Sequence, residues 1–342
     1  MAKLPLIEWD LLVRQARSAE LLGRIAVLMH EADLLDAVPS APRAHLESAL
    51  VLSSAQSNTA RREVNFIQEA LQGLEIDTIL LKGAAYVLAK LPAAKGRFFS
   101  DVDILVPCER LPEVEAALML NGWATTHHAP YDQRYYRQWM HELPPMQHIK
   151  RNTVIDVHHS IVPITARIKL DASKLLASAK PVEGLPGLRI LAPADMVLHS
   201  ATHLFFNEEL SHGLRDLSDL DLLLRHFGTT PEFWQQIAER AKEMKLERPL
   251  YYCLRNTVRL FSTPIPPSIL KTISDIAPPR LTKMLMDRLW FEVLRPYHPS
   301  TTTAPTHLAR GALYLRAHWL RMPPLLLAYH LIVKSLRQEH QP

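Results

Sequence analysis

The chain has 342 residues, 48% hydrophobic and 22% charged, so it can bury a substantial core and is long enough for two domains or one elaborated domain. Lysine and arginine outnumber aspartate and glutamate by 39 to 35, and this net charge of +4 permits phosphate contacts without indicating a dedicated nucleic-acid coat. The two cysteines cannot form a disulfide framework, and we find neither an export signal nor an apolar run of roughly 18 to 20 residues, so we predict a soluble, cytoplasmic protein.

Helical spacing of apolar residues runs from about residue 8 to Gly73, with a break around Pro39 and Pro42, and predicts two or three helices. A short β-rich run follows from Ile76 to Leu81. Helical spacing then resumes at Lys82-Gly83. This order predicts a strand, a tight turn and a helix.

A second strand is predicted from Val102 to Val106, and a helix from Leu111 to Asn121. The runs 146–150 and 153–162 are typical of two antiparallel strands, joined by a turn at Arg151-Asn152. The β-rich part of the chain ends near residue 190.

Helical patterns dominate from Pro193 onward, and the last helix is predicted to begin at Pro323-Pro324. We therefore expect an α+β fold with a mixed sheet flanked by helices. The expected divisions are an N-terminal helical segment (1–73), a sheet-containing domain (74–192) and a C-terminal helical domain (193–342).

Two carboxylates stand on the second predicted strand, at Asp101 and Asp103. Residues two apart on a strand project from the same face, so these acids converge while Val102 and Ile104 face the core. Two carboxylates held that close repel each other, and a divalent cation is the usual compensation. A surface turn is the ordinary alternative for an isolated Asp-x-Asp, but placing two acids at the entrance of an apolar strand is costly without a metal or hydrogen bonds.

A third acid, Asp156, lies in the apolar run Val154 to Val157. If its strand lies beside the first, three carboxylates could hold two metal ions about 3.5–4 Å apart, the spacing that activates an attacking oxygen and stabilises a leaving phosphate. The alternative is an ordinary acid on an edge strand.

Lys82 and Gly83 stand where a predicted strand meets a helix. Free backbone N–H groups at such a junction favour an anion, glycine permits close approach and lysine adds charge. The pair is weak evidence alone, and it is not a Walker A loop.

Taken in order, Leu81-Lys82-Gly83, the run from Arg97 to Pro107 and the run Ile155-Asp156-Val157-His158 resemble the uncharacterised nucleotidyltransferase family of the DNA polymerase beta-like superfamily. A fainter likeness continues into the helical half, through the run from Leu214 to Leu220. The likeness covers about residues 76 to 226. Lys-Gly replaces the Gly-Ser of the wider superfamily, and His159 replaces a frequent aromatic residue.

The resemblance implies a nucleotidyltransferase fold over 74–192, with Asp101, Asp103 and Asp156 as catalytic metal ligands for Mg²⁺ or Mn²⁺. It places Lys82 and Gly83 in the phosphate-binding turn. Three more residues are predicted to contact the nucleotide, namely Arg97, Ser100 and Arg215. For Arg215, an ion pair with Asp219 on an exposed helix is the alternative reading.

The implied reaction is in-line attack of an acceptor hydroxyl on the α-phosphorus of a nucleoside triphosphate, with release of pyrophosphate. We expect transfer of AMP from ATP, with Asp156 taking the acceptor's proton. The acceptor stays open between a small molecule, a sugar, a protein and an RNA 3′ end. Two alternatives are a catalytically silent nucleotide-binding or interaction module and a metal-dependent phosphohydrolase of the helical half.

Several histidines have no assigned role. His199 and His203 have a spacing that can bind zinc, although lining a cleft or packing in the core is favoured. His141, His158 and His159 could assist proton transfer, with a structural role as the default. The basic, aromatic stretch from Arg310 to Arg321 could contact RNA or a membrane surface, but helix packing is favoured.

Overall fold

The structure is a computed structural model that describes residues 4–207 and 209–338. Its helices are α1 (Leu6–Ser18), α2 (Leu22–Glu31), α3 (Ser40–Leu71), α4 (Lys82–Leu88), α5 (Leu111–Leu120), α6 (Pro130–Trp139), α7 (Ser173–Ser178), α8 (Pro193–Phe206), α9 (Gly213–Phe227), α10 (Pro231–Glu243), α11 (Glu247–Phe261), α12 (Pro267–Asp275), α13 (Arg280–Val293), α14 (Ala304–Arg321) and α15 (Pro324–Gln338). Its strands are β1 (Thr78–Leu80), β2 (Asp101–Leu105), β3 (Trp123–Thr125), β4 (Met146–His148), β5 (Val154–His158), β6 (Lys180–Pro181) and β7 (Leu188–Ile190).

The strands form one mixed sheet in the order β3-β4-β5-β2-β1-β7-β6. At its centre β2 runs parallel to β5 and antiparallel to β1, while β4 and β5 form the predicted antiparallel pair. The expected α+β class with a mixed sheet flanked by helices is confirmed.

The central strands are buried because their apolar side chains pack on both sides. Ile104 and Ile155 have no exposed surface, and they share one core with Leu198 of α8 and Leu217 of α9. The core thus continues from the sheet into the C-terminal helices. At the expected division at residue 193 the secondary structure changes, but the packing of the core continues without a break.

The N-terminal helices have a smaller core of their own. Trp9 and Val13 of α1 pack there with Ala26 and Met29 of α2 and Leu46 of α3. Burying one of the larger of these side chains stabilises the segment by about 1.5–3 kcal/mol. The N-terminal segment therefore has a core of its own, and polar and backbone contacts also tie it to the sheet, as described below.

The sequence did not predict β3, α6, α7 or β6. In α6 the reason is chemical, because its inward side is built from Tyr131, Tyr135 and Trp139 and lacks aliphatic side chains at helical spacing. The strands β3 and β6 are too short to carry a period-2 pattern.

Across the described ranges, none of the helices combines the length and the apolar composition that crossing a bilayer requires.

Candidate active site

The three predicted carboxylates lie on two neighbouring strands at the middle of the sheet. Asp101 and Asp103 lie on β2, and the parallel register pairs Asp103 directly with Asp156 of β5. Side chains of directly paired residues project from the same face, so all three acids border one cavity.

Asp103 is the most enclosed of the three, with 4% of its surface exposed. One carboxylate oxygen accepts hydrogen bonds from Lys82 Nζ at 2.9 Å and from His158 Nε2 at 3.0 Å. Burial alone would raise the pKa of Asp103, but Lys82 and His158 hold it well below its usual range. Asp103 is therefore an anion at neutral pH.

Asp101 and Asp156 have fewer positive partners. Asp101 accepts a hydrogen bond from the Ser100 hydroxyl at 3.0 Å, and its pKa is raised by the enclosing protein and by Asp103. Burial, Asp103 and Glu142 raise the pKa of Asp156 to about 7. Its buried oxygen Oδ1 has no hydrogen-bond partner. This orphaned oxygen, next to two more carboxylates, fits a hard divalent cation such as Mg²⁺.

The turn before α4 has an unusual backbone. Lys82 has a φ of +42°, a left-handed conformation that costs a non-glycine residue free energy. Burial alone would lower the pKa of Lys82, but Asp103 and Asp101 outweigh it and raise the pKa. The turn thus holds a charged ammonium group against the acids.

Gly83 is required by its neighbours. A Cβ atom there would lie 2.6 Å from Arg97 Nη1 and 2.7 Å from Phe99 Cδ1. The glycine therefore lets the Arg97 segment approach α4, a role beyond the predicted one at the phosphate turn.

Arg97 belongs to a buried ionic group. Its Nε donates to Asp219 Oδ2 at 2.8 Å, and Arg24 of α2 donates to Asp219 Oδ1 at 2.7 Å. Tyr86 and Phe99 flank the Arg97 guanidinium at 6.0 and 5.2 Å. Asp219 therefore ties the N-terminal segment, the segment before β2 and α9 together, a role that the sequence did not reveal.

The alternative reading of Arg215, an ion pair with Asp219, is not what the structure shows, because Asp219 is bonded to Arg24 and Arg97. Arg215 donates to Asp216 at 2.8 Å and to Glu20, which lies between α1 and α2. Arg215 nevertheless borders the same cavity as Lys82.

Two cavities meet at the acids, and both are bordered by Lys82, Asp101 and Asp103. The basic cavity, of about 260 Å³, contains the remaining predicted nucleotide contacts, which are Gly83, Arg97, Ser100 and Arg215. It is named for its lysine and arginines, although acids such as Glu20 and Asp216 also border it. The aromatic cavity, of about 340 Å³, contains Asp156 and has walls that include Tyr135, Tyr136, Ile161 and Phe206. The acids thus lie where a charged cavity meets one whose wall combines aromatic and apolar side chains with polar ones.

The histidines left without a role by the sequence lie in different surroundings. His158 contacts Asp103 directly, which the sequence signalled only by its place two residues after Asp156. Burial holds the pKa of His141, His199 and His203 well below the usual range. A zinc site at His199 and His203 gains no support, because the group of side chains that could hold a metal within the described part of the chain lies elsewhere. Burial lowers the pKa of His159.

The basic stretch of α14 makes contacts within the molecule. Arg310 stacks on Tyr297 at 4.2 Å, Arg316 donates to the carbonyl of Phe205, and Trp319 stacks with Arg167 at 4.1 Å. These contacts agree with the favoured packing role. Contact with RNA stays a prediction.

Three carboxylates that border one cavity, next to a second cavity bordered by Lys82, Arg97 and Arg215, form a site suited to phosphoryl chemistry. The family model for uncharacterised nucleotidyltransferases matches residues 5–262, so the chain belongs to this family and is a nucleotidyltransferase. The likeness inferred from the motifs is confirmed.

The solved structure of the antibiotic-resistance factor ANT(2'')-Ia is similar to 58% of this chain and 99% of that chain. The two share 13% identical residues, with a TM-score of 0.36. No curated protein matches the sequence.

Proposed function

We propose that the protein transfers AMP from ATP to a hydroxyl of an acceptor molecule, with Asp101, Asp103 and Asp156 holding Mg²⁺ or Mn²⁺. The register that sets Asp103 beside Asp156 supports this proposal, because it places acids of β2 and β5 on one face of the sheet, where all three carboxylates border one cavity. The bound cation would neutralise phosphate charge and favour the ionised acceptor hydroxyl. We further propose that the protein acts in the cytoplasm.

The basic cavity is proposed to bind the triphosphate. Lys82, Arg97 and Arg215 supply positive charge there, and Ser100 supplies a hydroxyl. Asp219 and Glu20 hold two of these guanidinium groups in place before substrate arrives. Phosphate oxygens would therefore meet donors that are already oriented, which reduces the entropy lost on binding.

The aromatic cavity is proposed to bind the acceptor, since Asp156 borders it and does not border the basic cavity. In this arrangement the Asp156 carboxylate accepts the proton of the attacking hydroxyl. Pyrophosphate would leave on the side of the basic cavity, so that attacking and leaving groups lie in line.

Labelled ATP tests this function in the presence of Mg²⁺ and a cell extract that supplies acceptors. We expect the native chain to transfer label from the α-phosphate, and the Asp101→Asn/Asp103→Asn variant to lose at least about a hundredfold of the rate, comparable to loss of one essential electrostatic group. Label from the γ-phosphate should appear only in pyrophosphate.

A matched control is Asp10→Asn, which removes an exposed carboxylate of α1 that pairs with Arg14. Its transfer rate should equal that of the native chain. Equal labelling by the native chain and the double variant, or binding of ATP without any transfer, would favour the silent binding module. Release of labelled inorganic phosphate without transfer would favour a phosphohydrolase.

A further inference from the structure

A group of side chains of the kinds that can bind a metal ion borders the aromatic cavity, which the carboxylates also border. It consists of His141, Glu142 and His158. One ligand atom from each residue lies within 4.8 Å of the other two. Two imidazoles and one carboxylate form a different donor set from the three carboxylates of Asp101, Asp103 and Asp156.

Backbone pairing holds the three residues together. Glu142 is bridged to His158 in an antiparallel arrangement, so their side chains lie on the same face. The N–H of His159 donates to the carbonyl of His141 at 2.9 Å, and the N–H of Leu143 donates to Val157 at 2.8 Å. The cluster is therefore anchored to the end of β5, a rigid part of the sheet.

The Nδ1 atoms of His141 and His158 are the main evidence that this group binds a ligand. His158 is 4% exposed, and its Nδ1 is buried without a hydrogen bond, although Glu142 Oε2 lies 3.2 Å away. His141 Nδ1 is likewise buried and has no hydrogen-bond partner. A buried polar atom without a partner costs about 1–3 kcal/mol, and a metal ion at this point would remove such a penalty.

The opposite side of the His158 ring supports the same reading. Its Nε2 hydrogen-bonds to Asp103 at 3.0 Å, which leaves Nδ1 to face Glu142. A histidine that binds a metal through one nitrogen usually hydrogen-bonds a carboxylate through the other, and this contact fixes the ring.

We propose that His141, Glu142 and His158 bind a divalent transition-metal ion such as Zn²⁺, at a site separate from the magnesium site of the three aspartates. Two imidazoles and a carboxylate suit Zn²⁺ and similar ions, whereas Mg²⁺ prefers oxygen ligands. Three protein ligands leave a coordination position open. It faces the aromatic cavity of about 340 Å³.

The open position also suggests what the ion does, and this part alone rests on the proposed function. A hydroxyl or carboxylate oxygen of the acceptor would complete the coordination sphere and be held close to Asp156. The acceptor class is then a molecule with a metal-binding oxygen beside an apolar or aromatic body, because Tyr135, Tyr136 and Ile161 line the same cavity.

Co²⁺ can report on this site without any enzyme assay, because its visible spectrum changes with ligand type and geometry. The full chain is freed of metal, supplied with excess Mg²⁺ to occupy the aspartates, and titrated with Co²⁺. We expect one Co²⁺ per chain, a spectrum of nitrogen-containing four- or five-fold coordination, and displacement by Zn²⁺. His141→Gln and Glu142→Gln should each weaken Co²⁺ binding by about tenfold or more.

Two variants serve as controls. His203→Gln removes a histidine that borders the same cavity outside the cluster, and Asp101→Asn removes a carboxylate of the magnesium site. Both should leave Co²⁺ affinity unchanged, and Asp101→Asn should still abolish transfer. Loss of transfer with intact Co²⁺ binding separates the two sites, and Co²⁺ binding by a chain that transfers nothing would contradict only the proposed function.

Circular dichroism shows whether each variant folds. If His141→Gln does not, Glu142→Gln decides, because its side chain is 19% exposed and its removal leaves no large void. Two results would overturn the metal site. One is Co²⁺ binding that both cluster variants retain, and the other is no Co²⁺ binding in the presence of Mg²⁺, which would leave His158 hydrogen-bonded to Asp103 and in an ionic contact with Glu142.

Discussion

A single buried carboxylate, Asp219, connects distant parts of this molecule. It is 3% exposed, and each of its oxygens accepts a hydrogen bond from a buried arginine, Arg24 or Arg97. Removing the charge would leave two buried guanidinium groups facing a neutral side chain. Breaking a buried ion pair from one side costs several kcal/mol, because the remaining charge stays desolvated.

We therefore expect Asp219→Asn to lower the free energy of unfolding by about 3 kcal/mol. Urea denaturation followed by circular dichroism measures this change. The matched control is Asp10→Asn, whose partner Arg14 is exposed, and its unfolding midpoint should not move. Equal midpoints for Asp219→Asn and the native chain would mean that the buried group contributes little to stability.

The sequence could predict the acids but not the other residues that build the site around them. Asp101, Asp103 and Asp156 stand on apolar strands, where a polar side chain is conspicuous. His158 and Asp219 gave no such signal. Their roles depend on contacts over 55 residues to Asp103 and over 122 residues to Arg97, which no local pattern encodes.

Among the elements, α2 lies in close contact with the segment before β2. A Cβ atom on Gly23 would lie 2.5 Å from the carbonyl oxygen of Gly96, and Gly96 itself has a φ of +65°. Backbone faces backbone at this contact, so no side-chain rotation can relieve a clash. The approach also places Arg24 within reach of Asp219.

Gly23→Ala should therefore destabilise the protein by about 1–3 kcal/mol, the range for overpacking at a close contact. Gly311 of α14 is the matched control, because a Cβ atom there meets nothing within 4 Å. Gly311→Ala should stabilise the protein by about 0.5–1 kcal/mol, since alanine favours the helix. Urea denaturation compares the two, and shifts in the same direction would contradict the proposed contact.

Strands and helices could be predicted from the sequence where the local pattern of residues is strong. The runs at β1, β2, β4 and β5 combine β-branched residues with clear turns, and all four form strands. The helix α6 escaped prediction because its buried side is aromatic. It matters for function, since Tyr135 and Tyr136 form a wall of the aromatic cavity.

On the scale of the whole molecule, the basic cavity is assembled from distant parts of the chain, and three of them lie outside the strands that carry the acids. Glu20 enters from the junction of α1 and α2, Lys82 and Tyr86 from α4, and Arg215 and Asp219 from α9. The N-terminal segment therefore completes the site, although it has a core of its own. A ligand that touches all three parts should stabilise all three together, because it binds only the assembled form.

Hydrogen exchange tests this expectation with a non-hydrolysable ATP analogue and Mg²⁺. At a concentration about 100 times its Kd, the analogue adds about 2.7 kcal/mol to the stability of the bound form, which slows exchange through opening by up to about a hundredfold. We expect slower exchange around residues 20–24, 82–86 and 213–219, and unchanged exchange in α12, which does not border the cavity. The Asp101→Asn/Asp103→Asn variant should show weaker protection, because it lacks two of the proposed metal ligands. Protection confined to α4 and β2 would mean that Arg215 and the N-terminal segment do not meet the triphosphate, and that the nucleotide lies closer to the sheet alone.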